Sequence, residues 1–212
     1  MQKIMFNDRY GLTQAVLEGR KTMTRRVIPS EFFSLSWDVR GNTLVYENAD
    51  GDFIDICNSK YCRYKIGEIV AVAQSYENAG YECYPYRDTD EYLWLRRDGQ
   101  EVNNVSVAPA GVTNKLFVRA DLMPHHIRIT DIRIERLQDI DDEDCLREGV
   151  RYIPEIDCYY FERTDREEGF YFTSPRAAFA ELIDRVSGRG TWDRNPYVVA
   201  YEFELLRSTI EP

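Results

Sequence analysis

The sequence predicts an α+β fold, a mixed β-barrel carrying insertions, on three observations. Short β-rich segments are spread along the chain, only three stretches show helical periodicity or capping, and polar segments bearing aromatics fill the gaps. A doubly wound sheet would need a helix between successive strands, and this order of segments does not supply one.

The elements follow in order. Lys3–Phe6 reads as a short first strand. Arg9–Glu18 reads as a helix with Leu12, Ala15 and Val16 on one face and Gly19 in the stop position. Glu68–Gln74 is β-rich and reads as buried on both faces. In Ile127–Leu137 the apolar set moves from Ile127 and Ile129 to Ile132 and Ile134, which predicts a bulge near Thr130-Asp131. Asp141 is predicted to cap a short helix running to Glu148, with an acid-rich first turn and Gly149 as terminator. Ser174-Pro175 starts a further helix whose stripe is Phe179, Leu182, Ile183 and Val186, ended by Gly188. Tyr197–Leu206 reads as a closing strand with Val199, Tyr201, Phe203 and Leu205 on one face. The looser segments, at about 29–65, 76–119 and 151–173, are read as three insertions into a single domain spanning 1–212. In the first of them, Gly41-Asn42 and Asp50-Gly51 signal the turns of a decorating hairpin.

Composition narrows the function. The 212 residues are 43% apolar, enough for one sizeable core. No run approaches the roughly 18 apolar residues of a membrane helix, and Met1–Asp8 turns polar too soon for an export leader. Five cysteines without a regular framework read as reduced thiols, so a cytoplasmic protein without membrane attachment is expected. The net charge of −10 opposes unspecific binding to long polyanions. From Arg9 to Arg26, however, five cations (Arg9, Arg20, Lys21, Arg25, Arg26) face one anion (Glu18), a local +4 that leaves −14 for the rest. A basic focus on an acidic body suits a compact, nucleotide-like ligand. Pairing of those cations with acidic neighbours is the plainer alternative, and charge alone leaves both open.

Within that focus, Glu18–Arg26 places a lysine, two threonines and two arginines on the segment leaving a helix. A threonine hydroxyl attacks a carbonyl only when a base takes its proton, and lysine serves as that base when its pKa is lowered. Neighbouring arginines push it in that direction. A solvated basic turn at a helix end is the competing interpretation. Other constellations carry less. Cys57-x4-Cys62 with Cys83 lacks paired metal-ligand spacing, His125-His126 are adjacent, and no metal or cofactor is expected. The tyrosines at 76, 81, 84, 86 and 92 suit loop packing better than base stacking. Trp192 and Asn195 offer either a flat pocket wall with an amide or a plug at the start of the closing strand.

Gly19-Arg20-Lys21-Thr22-Met23-Thr24-Arg25 resembles the G-x-K-x-x-T-x-R signature of ASCH domains, a branch of the PUA-like barrels. The similarity continues through Gly67–Val70, the Ile127–Gly149 unit and Trp192-x-x-Asn195-Pro196-Tyr197-Val198, the last as in a subgroup of bacteriophages and gut bacteria. It implies a PUA-like mixed β-barrel with flanking helices. One branch of that family removes the acetyl group from N4-acetylcytidine, and carrying its set across gives Lys21, Thr24 and Glu148 as catalytic residues. Lys21 would accept the proton of Thr24, Glu148 would orient Lys21 or shuttle a proton to the leaving amine, and Arg25 or a backbone N–H would steady the oxyanion. Arg20, Arg25, Arg26, Trp192 and Asn195 would contact a nucleoside or short RNA. Two departures stand out. The chain is about twice as long as the small hydrolases, and Ala73-Gln74-Ser75-Tyr76 replaces an Arg-Glu-Thr-Trp type sequence. A non-catalytic RNA- or nucleotide-binding module, or a protein-interaction domain of mobile-element origin, remain the alternatives.

Overall fold

A computed structural model describes residues 1–41, 43–86, 90–164 and 170–206, with the side chains of 103–105 left out. Asn42, half of one predicted turn, therefore lies outside the described residues. The elements in chain order are β1 (Lys3–Ile4), α1 (Leu12–Leu17), β2 (Met23–Val27), β3 (Trp37–Arg40), β4 (Thr43–Glu47), β5 (Phe53–Asp55), β6 (Ile69–Val72), β7 (Glu82–Pro85), β8 (Leu93–Arg97), β9 (Gln100–Val107), β10 (His126–Arg136), α2 (Asp142–Arg147), β11 (Arg151–Ile153), β12 (Cys158–Tyr160), α3 (Pro175–Ser187), α4 (Thr191–Arg194) and β13 (Tyr197–Leu206). The class is mixed α+β, as predicted, and among the described residues the strands form open sheets.

The chain divides into two compact units. The first holds Met1–Phe6 and Ile69–Ile127, and the second Asn7–Glu68 and Arg128–Leu205. The predicted insertion at 76–119 falls wholly in the first unit, and those at 29–65 and 151–173 in the second.

In the first unit β1 runs parallel to β6, with Lys3 opposite Ala71 and Ile4 opposite Val72. Both faces of β6 are closed from Val70 onward, while Ile69 is exposed. The β7-β8-β9 meander packs Leu95 and Val107 of its inner face on Tyr76 and Met123. Tyr76 is fully buried, and its hydroxyl accepts the Arg119 backbone N–H at 3.1 Å. This settles that tyrosine as packing, whereas Tyr84 and Tyr92 are exposed.

In the second unit β13 lies between β10 and β2. It pairs antiparallel with β2, Tyr201 opposite Thr24 and Ala200 opposite Arg25. The expected one-faced burial of β13 is too simple, because Val198 to Tyr201 are all buried. The helix expected over Arg9–Glu18 is broken at Gly11, whose φ of +62° separates a 3-10 turn (Asp8–Tyr10) from α1. Leu12, Ala15 and Val16 are buried as the spacing required. The hairpin at 37–55 is a three-stranded meander, β3-β4-β5.

Local chemistry fixes the remaining helices. Asp141 accepts the Asp144 N–H at 2.7 Å to start α2. Ser174 accepts the Ala177 N–H at 3.1 Å, with Pro175 first in α3. Phe179, Leu182 and Ile183 are buried, but Val186 is only half covered and closes the stripe less tightly than its spacing implied. Leu182 is 2% exposed, so Leu182→Ala should lower stability by about 2–5 kcal/mol through the cavity it leaves. An unchanged urea midpoint for that variant would show that α3 does not anchor this unit.

Candidate functional site

The site begins where α1 ends. Gly19 adopts φ +74°, and the N–H groups of Arg20 and Lys21 both donate to the Ala15 carbonyl at 2.9 Å. That turn delivers Lys21 inward. Its side chain is almost wholly enclosed, and Nζ donates to the Glu148 carboxylate at 2.6 Å and to the Glu148 carbonyl at 2.7 Å. Glu148 sits at the C-terminus of α2, and Gly149 follows at φ +113°. A Cβ on Gly149 would come within 2.9 Å of Leu12 Cδ2, so the close approach of Leu12 and the positive φ both call for glycine here.

Arg25 lies four residues further on in β2, with no side-chain exposure. Three carboxylates surround it. Nε donates to Glu135 at 2.8 Å, Nη2 to Asp144 at 2.7 Å, and Nη1 to Glu148 at 3.2 Å. The network extends outward through Arg133, which donates to Asp144 at 2.6 Å. Arg147 reaches the Thr22 hydroxyl at 3.1 Å, Asp144 at 3.4 Å, and Glu202. Four cations (Lys21, Arg25, Arg133, Arg147) thus meet four anions (Glu135, Asp144, Glu148, Glu202), and the cluster is neutral.

Burial and pairing pull the protonation states in different directions. Desolvation is the largest influence on Lys21 and outweighs the Glu148 carboxylate, so its pKa lies below the ordinary lysine value. For Arg25 burial acts in the same sense, but Glu148, Glu135 and Asp144 more than offset it and raise its pKa. Burial would raise the Asp144 carboxyl, yet its hydrogen bonds from Arg25 and Arg133 hold it below the usual carboxylate range.

The expected residues do not all converge. Lys21, Arg25 and Glu148 are brought together. Thr24 is buried in β2, but consecutive strand residues point to opposite faces, so Thr24 shares the face of Tyr201 and not that of Arg25. The hydrogen bonds recorded for Lys21 Nζ go to Glu148, and none joins it to Thr24 among the described residues. Arg20 binds Glu18 at 2.7 Å and Glu162 at 3.3 Å. Arg26 is half-buried, and its charge acts on Lys21 and Tyr64. Trp192 packs edge-on against Phe179 at 6.1 Å and carries Arg176 over its ring at 5.2 Å. Asn195, at φ +44°, accepts the Gln138 N–H on its side chain at 2.8 Å and an Arg136 N–H on its carbonyl at 3.2 Å. Both residues brace the start of β13.

Sequence reasoning missed Glu135, Asp144, Arg133, Arg147 and Glu202 as site residues. Signals existed, because Arg133 and Glu135 alternate on one strand face, and Asp144 and Glu148 are four apart on one helix face. A cavity of about 250 Å³ adjoins the network. Val39, Thr43 and Leu44 line it from the meander, and Glu135, Arg136, Asp139 and Tyr197 from the opposite wall. Arg136 stacks over the Tyr197 ring at 3.8 Å. Among the described residues no group of three or more acids, thiols or imidazoles is placed to hold a metal. The three carboxylates converge on the Arg25 guanidinium instead. Likewise, no described helix is long and apolar enough to cross a membrane. No known protein family, curated protein or solved structure matches the chain.

Asp144 sets an acid limit on stability. Its folded pKa is lowered, so its contribution is fully present above the unfolded value near 3.8 and is lost as pH falls through the lower folded value. The thermal midpoint should fall more steeply with acidification below about pH 4 in the wild type than in Asp144→Asn. Parallel acid profiles would remove Asp144 from this role.

Proposed function

We propose that this protein recognises a nucleoside or an RNA base, as a PUA-like protein of the ASCH type, and that the base enters the cavity beside Glu135. The observation that carries this reading is the double placement of Glu135. One of its oxygens receives Arg25, and the same side chain lines the cavity. A ligand that bonds this carboxylate is therefore felt directly by the buried network. Glu135 and Asp139 offer acceptors suited to the exocyclic amine of a cytosine-type base. Val39 and Leu44 supply apolar walls, and Arg136 on Tyr197 a rigid, cationic one. The acidic body, net −10, favours a single base over a long polyanion.

A hydrolytic reading has its own support in Lys21, whose pKa is lowered by burial, as a proton acceptor at neutral pH requires. In that reading Thr24 attacks the N4-acyl carbonyl and Lys21 takes its proton. Recognition comes first here because Lys21 is clasped by Glu148 and Thr24 lies on the face of Tyr201.

Calorimetric titration with cytidine and N4-acetylcytidine, with acetate release followed in parallel, tests both readings. Wild type should bind cytidine. Val39→Trp should weaken binding about tenfold or more by filling the cavity from the exposed strand β3, with the thermal midpoint unchanged. Acetate release by the wild type that is lost in a Lys21→Ala variant still unfolding cooperatively would support hydrolysis. Wild type that binds neither nucleoside nor a short RNA contradicts both readings.

A further inference from the structure

The cavity continues outward along β3. Trp37 and Val39 are two residues apart, so their side chains share one face of the strand, about 7 Å from each other along it. Val39 lines the cavity. Trp37 packs edge-on against Phe33 at 5.5 Å and against the lining residue Tyr197 at 6.1 Å. These contacts hold the indole in place and still leave 37% of the residue exposed. Phe53, an exposed aromatic on the same meander, differs in that Arg40 already lies over its ring at 4.0 Å.

A cation stands at the same ring. Arg136 is exposed, lines the cavity and lies over Tyr197 at 3.8 Å. Its guanidinium gives one N–H to the Asn195 carbonyl at 3.2 Å, while Asp139 accepts its backbone N–H at 3.3 Å. Among the described residues no carboxylate pairs with that guanidinium. Arg20, Arg25, Arg133 and Arg147, in contrast, each bind an acid. Arg136 therefore keeps donors in a planar fork suited to a phosphate.

We propose that Trp37 is a second subsite, a stacking platform for the base next to the one in the cavity, so the site takes a two-nucleotide step of single-stranded RNA. This rests on the reading of the cavity as a base site. One base enters between Val39 and Arg136, its neighbour stacks on Trp37, and the phosphate joining them meets the Arg136 guanidinium. Stacking on an indole accepts any base, so the cavity selects which base is read and Trp37 adds affinity for a strand over a free nucleoside. A single phosphate needs only one cation, in keeping with a body of net charge −10.

The test titrates the wild type, Trp37→Leu and Trp37→Tyr with cytidine and with the dinucleotides CpA and ApC. The readout is the ratio of dinucleotide to cytidine affinity, which a general loosening of the cavity would leave alone because both ligands weaken together. Wild type should bind one dinucleotide about fivefold or more tighter than cytidine. That ratio should fall towards one in Trp37→Leu, which keeps an apolar side chain against Phe33 and Tyr197, and persist in Trp37→Tyr. Added salt should weaken the dinucleotide and not the uncharged nucleoside. Cytidine binding with neither dinucleotide tighter, or a ratio that survives in Trp37→Leu, overturns the subsite and leaves the cavity reading standing. Wild type that binds none of the three ligands removes both.

Discussion

A guanidinium with no exposure must be neutralised where it lies, and Arg25 imposes that demand on the whole second unit. Moving such an ion out of water costs several kcal/mol even after relaxation. One carboxylate about 4 Å away returns about 4 kcal/mol at the effective dielectric found near protein sites. Each partner carboxylate carries its own desolvation cost, so what the three hydrogen bonds secure is neutralisation of the guanidinium where it lies, and loss of one partner would leave an uncompensated buried charge. Glu135 comes from β10, Asp144 from α2 and Glu148 from its C-terminal end, so the guanidinium fixes the strand and the helix against β2 at one point. Removing Arg25 alone would take a partner from buried Asp144 and Glu148 and from half-buried Glu135 at once, so the cluster is expected to respond as a unit.

The same constraint reinterprets the charge pattern. The local +4 of Arg9–Arg26 looked like a focus for an anionic ligand, but Arg20, Lys21 and Arg25 are consumed by Glu18, Glu162, Glu148, Glu135 and Asp144. In the proposed reading, polar recognition falls instead to Glu135, the network carboxylate that lines the cavity. Glu135 is the hinge of that account, because it is the member shared by the buried cluster and the cavity wall.

Much of the scaffold was legible because it is written in local chemistry. Asp141, Ser174-Pro175, Gly149 and Gly188 mark helix ends through bonds made within a few residues, and each performs that role. The break at Gly11 was not legible, since an apolar stripe continues across it and masks the change from 3-10 to α geometry. The site was half legible. Lys21 and Glu148 were found through the ASCH resemblance and do meet. Asp144 was read only as favourable first-turn charge, although it also binds Arg25 and Arg133. Ion pairs that close over more than a hundred residues leave no periodic signal, and only the two-residue alternation of Arg133 and Glu135 hinted at a shared face. The side of β2 that Thr24 takes was readable from the pleat once the register with β13 was known.

The central claim is that Lys21, Glu148, Arg25 and Asp144 form one energetic unit, so a double-mutant cycle tests it most directly. Lys21 and Asp144 do not bond each other but are joined through Glu148 and Arg25. Urea unfolding of Lys21→Met, Asp144→Asn and the double variant should give a coupling of about 1 kcal/mol or more. Effects that add within about 0.5 kcal/mol would contradict it and leave two independent ion pairs.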